Sequence, residues 1–302
     1  MNDKTILITG SSGFIGRALF NAVKALFPRS RVVGLDARPG VAGTVVMDLL
    51  QKDAVASAME GIRPDFVFHM AGVIYSKDWE EHCKGNILAT ANLLDALTSE
   101  GRHPRIIVPG SAAEYGRVLQ HELPVTEGRL PCPVTPYGVG KLWQTTLARY
   151  YAGRGMDVVI GRMFNVIGRG MPQGLSAGSF ARQINDIRQK AAPPVIHVGN
   201  LSARRDFIDI NDACRALVAL AEKGVKGEAY NICSGRSCSI KELLDLMILE
   251  SGLEVKVSQD AGRMKDNDID EIYGSYEKLN GLTGWAPKVL LLESVKELLA
   301  GQ

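Results

Sequence analysis

Tyr137 and Lys141 stand four residues apart in "PYGVGK", and the segment after Pro136 reads as a helix, so both side chains share one face. A free phenol, with a pKa near ~10, exchanges protons poorly at neutral pH. An ammonium beside it favours the phenolate and is expected to lower that value. Such a pair can pass a proton to or from a substrate hydroxyl or ketone while a hydride moves at the carbon. The chemistry also asks for a hydroxyl that hydrogen-bonds the reacting oxygen, and "PGSAAEYG" supplies Ser111 just after a strand-like run. Tyr-x-x-x-Lys alone arises by chance in many helices; a hydride carrier elsewhere in the chain gives it weight.

The signature of a carrier is "ITGSSGFIG", near the start of the chain. Gly10, Gly13 and Gly16 follow a strand-like run and open a segment in which Ile15, Leu19, Ala22, Val23 and Leu26 recur at helical spacing. Glycines so placed permit a tight turn, bring backbone close to a pyrophosphate and aim helix N-terminal amides at it. Asp36 closes the second strand, about 20 residues beyond the last glycine. A carboxylate there accepts hydrogen bonds from both adenosine ribose hydroxyls and repels a 2′-phosphate, so NAD is expected over NADP. Arg38, two residues on, can pair with a phosphate and soften that preference.

Positioning these groups requires a parallel sheet. Short β-branched runs alternate with helical periodicity in the first half of the chain, the pattern of β-α-β units. Strands are expected at Thr5 to Thr9, Arg31 to Asp36, Thr44 to Asp48, Asp65 to Ala71, Arg105 to Gly110 and Asp157 to Arg162. A further amphipathic helix is expected over Asn86 to Leu97. After about Asn165 the rhythm loosens. A glycine-rich loop leads to a helix at Phe180 to Gln189, then to a strand in "PVIHVG" and a helix in "RRDFIDINDACRALVALAEKG". A strand in "EAYNICS", a helix over Ile240 to Leu249 and an irregular tail complete the reading. The expected fold is α/β, a Rossmann-type doubly wound parallel sheet with a smaller interleaved C-terminal substrate-binding domain. Residues 1–165 form the dinucleotide domain, with 201–234 returning to it; 166–200 and 235–302 form the other.

Composition narrows the partners. The 302 residues carry 35 Lys+Arg against 33 Asp+Glu, a net charge of +2, which gathers no phosphate polymer, and no basic run is interleaved with aromatics. Nucleic acid is not an expected partner. No apolar stretch approaches the ~20 residues of a membrane span, and the start of the chain, with Asp3, runs straight into a strand, so a cytoplasmic protein is expected. The five cysteines contain no C-x-x-C pair and the five histidines no chelating pair, so no metal is expected.

The spacing Gly10-x-x-Gly13-x-x-Gly16 resembles the extended branch of the short-chain dehydrogenase/reductase superfamily. "VMDL" at Val46 to Leu49, "HMAG" at His69 to Gly72, "NILATANLLDA" from Asn86 and "YGVGK" at Tyr137 to Lys141 extend the resemblance along nearly the whole chain. It implies that Phe14 and Ile15 join the three glycines and Asp36 around the dinucleotide. It places Asp48 and Leu49 against the adenine, Ala71 and Gly72 beneath the ribose, and Asn86 among the cofactor residues. Ser111, Tyr137 and Lys141 form the catalytic set, with Lys141 also holding the nicotinamide ribose. The dehydratases of this branch carry acids two, or two and three, positions before the tyrosine of "EYG". Here those positions are Ala112 and Ala113, and dehydration is disfavoured.

"RMFNVIGRGM" resembles a sugar-nucleotide segment in which Asn165 contacts the sugar or its phosphate, and "VGNLSARRDFIDI" one in which Arg205 clamps a diphosphate. Arg263 falls where a second phosphate-binding arginine is expected. Ser179, Arg182 and Ala112 complete the implied substrate set. "SAAEYG", "PYGVGK", "VGNLSARRDF", "YNICSG" and "LTGWAPK" together are most similar to the GDP-4-dehydro-6-deoxy-mannose reductases. The resemblance implies hydride delivery to C4 of a nucleotide-linked 4-keto-6-deoxyhexose, with Tyr137 giving the proton. Two features depart from it: Asp36, where these reductases often prefer NADPH, and Gly140, where serine is usual. A sugar-nucleotide 4-epimerase with permanently bound NAD would use the same three residues, and a non-catalytic NAD-sensing regulator would use the fold alone. A homodimer is expected through the helix bearing Tyr137 and the one starting near Asn86, since Leu142, Trp143, Leu147, Tyr150 and Tyr151 cover more than one helix face.

Overall fold

The computed structural model describes residues 1–74, 76, 78–99, 103–264 and 269–301. Strands and helices alternate as β1 (Thr5–Thr9), α1 (Phe14–Leu26), β2 (Arg31–Asp36), β3 (Thr44–Val46), α2 (Lys52–Ile62), β4 (Phe66–His69), α3 (Trp79–His82), α4 (Ala89–Ser99), β5 (Arg105–Ser111), α5 (Pro136–Gly153) and β6 (Val158–Met163). With the strand Ala229–Ile232 they build a seven-stranded sheet. Its order is Ala229–Ile232, β6, β5, β4, β1, β2, β3, and all neighbours run parallel. The chain steps outward from β1 to β3 and then returns to β4, so the strand order reverses between β1 and β4. In doubly wound sheets the carboxyl ends at such a reversal flank the ligand crevice.

The strands are continuous apolar runs because both faces of the sheet are covered. Ile6 and Ile8 point into a core shared with Leu19 of α1 and Leu217 of the helix Ile210–Lys223. Leu7, between them, points into the opposite core with Val55 of α2, Leu93 of α4 and Ala148 of α5. Two strands are shorter than their composition predicts. β3 stops at Val46 because Asp48 turns the chain, accepting from the Leu50 amide at 2.9 Å, and β4 stops at His69 as the chain bends toward Ala71 and Gly72.

A third core lies among the helices Ser176–Arg188, Ile240–Ser251 and Leu291–Ala300, filled by Ile184, Leu243, Met247 and Leu298. Among the described residues, the tail expected to be irregular carries regular elements. It holds the strand Lys256–Gln259, paired in parallel with Val195–Val198, and the helices Glu277–Thr283 and Leu291–Ala300. Its elements are too short for periodicity to reveal; Leu279 and Trp285 dock on the core of the main sheet, and the Trp285 indole donates to the Asp212 carbonyl at 3.2 Å.

Candidate active site

The glycine turn closes because two of its residues lack a side chain. Gly10 has φ +67°, and a Cβ there would lie 2.6 Å from the Ala71 amide nitrogen; one on Gly16 would lie 2.0 Å from the Gly10 carbonyl. Helix α1 therefore packs directly on the end of β1. Gly13 caps α1 with no side chain to occupy the first-turn amides of Phe14, Ile15 and Gly16, which leaves them for an anion. A cleft of about 430 Å³ opens here, and Gly10, Gly13, Asp36, Asp48, Leu49, Ala71 and Gly72 all line it. Met47 and Met70, inside two of the motifs, line it too, as do Val73, just past one, and Glu81 and Lys84, on α3 and the turn after it. The Asp36 carboxylate, at the end of β2, accepts the Ser12 and Arg38 amides at 3.0 Å each. Arg38 itself is largely solvent-exposed, its guanidinium 3.9 Å from Asp36. Open helix amides, a glycine floor and a carboxylate at the end of β2 fit a dinucleotide.

Asn86 acts one step back from that cleft. The helix expected to start there is preceded by a π-helical turn, Cys83–Leu88, which turns Asn86 inward. Its side chain accepts from the Val73 amide at 2.8 Å and donates to the Val73 carbonyl at 3.0 Å, so it holds the turn that lines the cleft. Gly72 must be small for the same reason: a Cβ there would meet the Asn86 Oδ1 at 2.7 Å.

The groups expected to react lie near the carboxyl end of β5. Ser111 closes that strand and caps a short turn, Ala112–Glu114; its Oγ accepts from the Ala113 amide at 3.2 Å while the Glu114 carboxylate accepts from the Ser111 amide at 2.7 Å. Thr135 caps α5 through the Gly138 amide at 3.1 Å, and Pro136 takes the first helical position. Tyr137 thus falls in the first turn, near enough to the Ser111 hydroxyl for that group to favour its phenolate. Lys141 follows one turn later, buried, its ammonium donating to the Gln144 side-chain carbonyl.

Electrostatics reverse one expectation. The Tyr137 phenol is raised above its ordinary value, because burial and the Glu114 charge outweigh the effect of the Ser111 hydroxyl. Burial also brings the Lys141 ammonium down to about 8, opposed by Glu114. The lysine, turned to Gln144, does not offset the desolvation of the phenol. At neutral pH the site holds a protonated phenol beside a protonated ammonium.

The glycine at position 140 also has a local cause. A Cβ there would lie 3.3 Å from the Asn86 Nδ2 and 3.4 Å from the His82 Cβ. The missing side chain lets α3 and the π turn close on α5, with the His82 ring 6.4 Å from that of Tyr137.

Beneath Ser111 lies an unanticipated ion pair. Glu114 and Arg162 are both fully buried, with Arg162 Nε donating to the carboxylate at 3.0 Å. Glu114 also accepts from Thr145 of α5 at 3.0 Å, so one carboxylate ties β5, β6 and α5 together. Arg162 continues to the Tyr115 hydroxyl at 3.2 Å, which donates to Asn231 at 2.7 Å, and burial pushes the Tyr115 phenol up to about 12. The signal was an arginine inside the otherwise apolar strand "VVIGRM".

Among the residues expected to bind substrate, Arg205 belongs to the short strand Arg204–Arg205 and donates to the carbonyls of Arg204 and Ile269 at 2.8 and 2.5 Å. Asn165 donates to the Asp206 carbonyl at 3.1 Å. Asp206 itself is fully buried and accepts from Ser234 and from the Gly235 and Gly274 amides; burial still pushes its carboxyl up to about 6. Ser179 and Arg263 come together from distant segments at 3.2 Å. Arg182 is exposed and pairs with Asp186 at 3.6 Å, whereas Ala112 is buried next to Ser111.

The model of the NAD dependent epimerase/dehydratase family matches residues 6–233. The chain belongs to that family. Among relatives of this family member is the GDP-6-deoxy-D-mannose reductase of Pseudomonas aeruginosa, 31% identical, the alignment covering 98% of this chain and 96% of the reductase. The solved structure of RMD from Pseudomonas aeruginosa complexed with NADPH superposes with a TM-score of 0.89 at 31% identity, covering 99% of this chain and 98% of that one. The UDP-glucuronic acid 4-epimerase of Bacillus cereus, solved with UDP-glucuronic acid and NAD, gives 0.86 at 25% identity over 99% of this chain and 98% of that one. The family match ends near the last strand of the main sheet and takes in Ser179 and Arg205, while the three near-full-length comparisons extend through the segment that carries Arg263. Among the described residues, no helix of this family member is long and apolar enough to cross a membrane.

Proposed function

We propose that the protein reduces C4 of a nucleoside-diphosphate-linked 4-keto-6-deoxyhexose, the guanosine form being the first to try. The observation that carries this reading is the Tyr137 phenol set near the Ser111 hydroxyl at the carboxyl end of β5, with alanines at 112 and 113. The 31% identical reductase supports it. A bound reduced dinucleotide supplies the hydride. Tyr137 gives its proton to the C4 oxygen as the ketone becomes an alcohol, Ser111 holds that oxygen, and Lys141 steadies the nicotinamide ribose. With alanines at 112 and 113, and with Glu114 engaged by Arg162, Thr145 and the Ser111 amide, elimination of water is disfavoured. Arg205 and Arg263 take the diphosphate, with Asn165, Ser179 and Arg182 around the sugar and its phosphates.

The test is to denature freshly purified protein, identify any released dinucleotide, and assay 4-keto-6-deoxy sugar nucleotides with added NADH and NADPH. An empty site with turnover supports the reductase. Near-stoichiometric NAD with no net reduction turns the assignment to a 4-epimerase, the second reading, which the carboxylate at Asp36 favours. Loss of all turnover with intact dinucleotide binding would indicate a regulator.

Asp36 carries the preference for NAD. Its exchange for alanine removes the charge that repels a 2′-phosphate and leaves exposed Arg38 to attract one. The ratio of kcat/KM for NADH over NADPH is expected to fall by roughly ten-fold, equivalent to ~1.4 kcal/mol; an unchanged ratio would remove Asp36 from that role.

A homodimer is proposed through α4 and α5. Trp143 and Tyr150 of α5 are 43% and 57% exposed, Leu88 beside α4 is 51% exposed, and Trp79 stands with its ring 6.1 Å from that of Trp143. Sedimentation velocity of the protein and of Trp143→Glu checks it, the variant being expected to run as a monomer. The five cysteines are free thiols, which suits the reducing cytoplasm proposed as its compartment.

A further inference from the structure

We propose that Gln144 is the positioning residue for Lys141: its carbonyl holds the ammonium, and its amide ties that ammonium through Thr90 and His69 to the wall of the dinucleotide cleft. The inference rests on the assignment of Lys141 to the catalytic set. Thr9, His69, Thr90 and Gln144 are buried between β1, β4, α4 and α5. Gln144 Nε2 donates to Thr90 Oγ1 at 2.8 Å, and Thr90 Oγ1 is 2.8 Å from His69 Nε2. His69 Nδ1 is 2.8 Å from Thr9 Oγ1, which accepts from the Ala71 amide at 3.3 Å. Ala71 lines the cleft.

Counting protons fixes the direction of every link. Thr90 gives its one hydroxyl proton to the Asn86 carbonyl at 2.7 Å, so it accepts from both Gln144 and His69. His69 therefore carries its proton on Nε2 and accepts the Thr9 hydroxyl proton at Nδ1. Burial and the charge of Lys141 hold His69 near a pKa of about 3, so the imidazole stays neutral. With Nε2 of Gln144 committed to Thr90, its Oε1 faces Lys141 as an acceptor. A flipped amide would aim N–H groups at an ammonium. The charged or titratable groups around Lys141 are then Tyr137 on its own helix, His69 from β4 and Glu114 from the turn after β5.

A buried ammonium without an acceptor is costly. A neutral carbonyl meets that need while leaving the positive charge unquenched for the ribose and the phenol. Gln144 thus sets both the place of the amine and its readiness to stay protonated.

The test uses the dinucleotide-free full-length protein labelled with 13C-lysine, following the Cε resonance of Lys141 against pH. Gln144→Leu removes an acceptor of the charged form and is expected to lower the midpoint by about one unit; Gln144→Glu keeps an acceptor, adds a charge and is expected to raise it by about as much. NAD affinity is expected to fall roughly ten-fold, equivalent to ~1.4 kcal/mol, in the leucine variant and to return in the glutamate variant. Midpoints that coincide in wild type and both variants would overturn the proposal. If Gln144→Leu does not fold, an unmoved midpoint in Gln144→Glu overturns it alone. Shifted midpoints in a protein that turns over no 4-keto sugar would leave Gln144 in this role and defeat the functional reading instead.

Discussion

Glu114→Ala is expected to lower the unfolding free energy by about 3–5 kcal/mol, the cost of leaving a buried charge without its partner. Arg162 is 1% exposed and would keep its charge with no carboxylate to meet it, while the Ser111 amide and the Thr145 hydroxyl would lose their acceptor. Loss of that fraction of the typical 5–15 kcal/mol of a folded domain threatens folding at growth temperature. Urea unfolding, read from the midpoint at constant slope, checks the value. The double exchange Glu114→Leu with Arg162→Met is expected to recover most of the stability, because two apolar side chains need no mutual compensation. A loss below ~1 kcal/mol, the range of an exposed pair, would show that water reaches these groups and that they do not clamp the sheet to α5. The double variant separates stability from chemistry: with Ser111 no longer held by its amide, it is expected to fold well and turn over slowly.

The main sheet was legible because it is buried on both faces, which leaves continuous apolar runs such as "TILIT", and because glycine turns have few alternatives where helix meets strand. The glycine turn could be read for the same reason: Gly10 and Gly16 answer to backbone distances that any side chain would violate. The tail was not legible. Its helix Glu277–Thr283 has seven residues, fewer than periodicity needs, and it is defined by contact with a sheet more than 40 residues earlier. Asn86 and Gln144 show a third case. Each residue type could be read in place, but not its target, since a π turn and the burial of Thr90 decide where an amide points. The raised phenol of Tyr137 belongs here too. Spacing put an ammonium on the same helix face, whereas desolvation, which spacing does not encode, decides the direction of the shift.

Tyr137→Phe is expected to lower kcat by about 10²–10⁴-fold, the range for loss of a positioned general acid, with little change in KM for the sugar nucleotide. The hydroxyl it removes meets the substrate oxygen only as charge develops there, so the loss falls on the transition state and not on ground-state binding. Folding is expected to be unaffected, since the ring is retained and only the link to Ser111 is lost. The pH dependence gives a second, independent reading. Reduction uses the protonated phenol, which burial keeps protonated at neutral pH, so its rate is expected to be flat there and to fall in the alkaline range, where the Lys141 ammonium, held at about 8, also loses its proton. Oxidation of the 4-hydroxy sugar needs the phenolate and is expected to climb over that alkaline range until the ammonium is lost. In Tyr137→Phe both responses to the phenol disappear. Retention of more than about a tenth of wild-type kcat, well short of the general-acid range, would assign the proton to another group, and His82, whose ring stands 6.4 Å from that of Tyr137, would be the next to exchange.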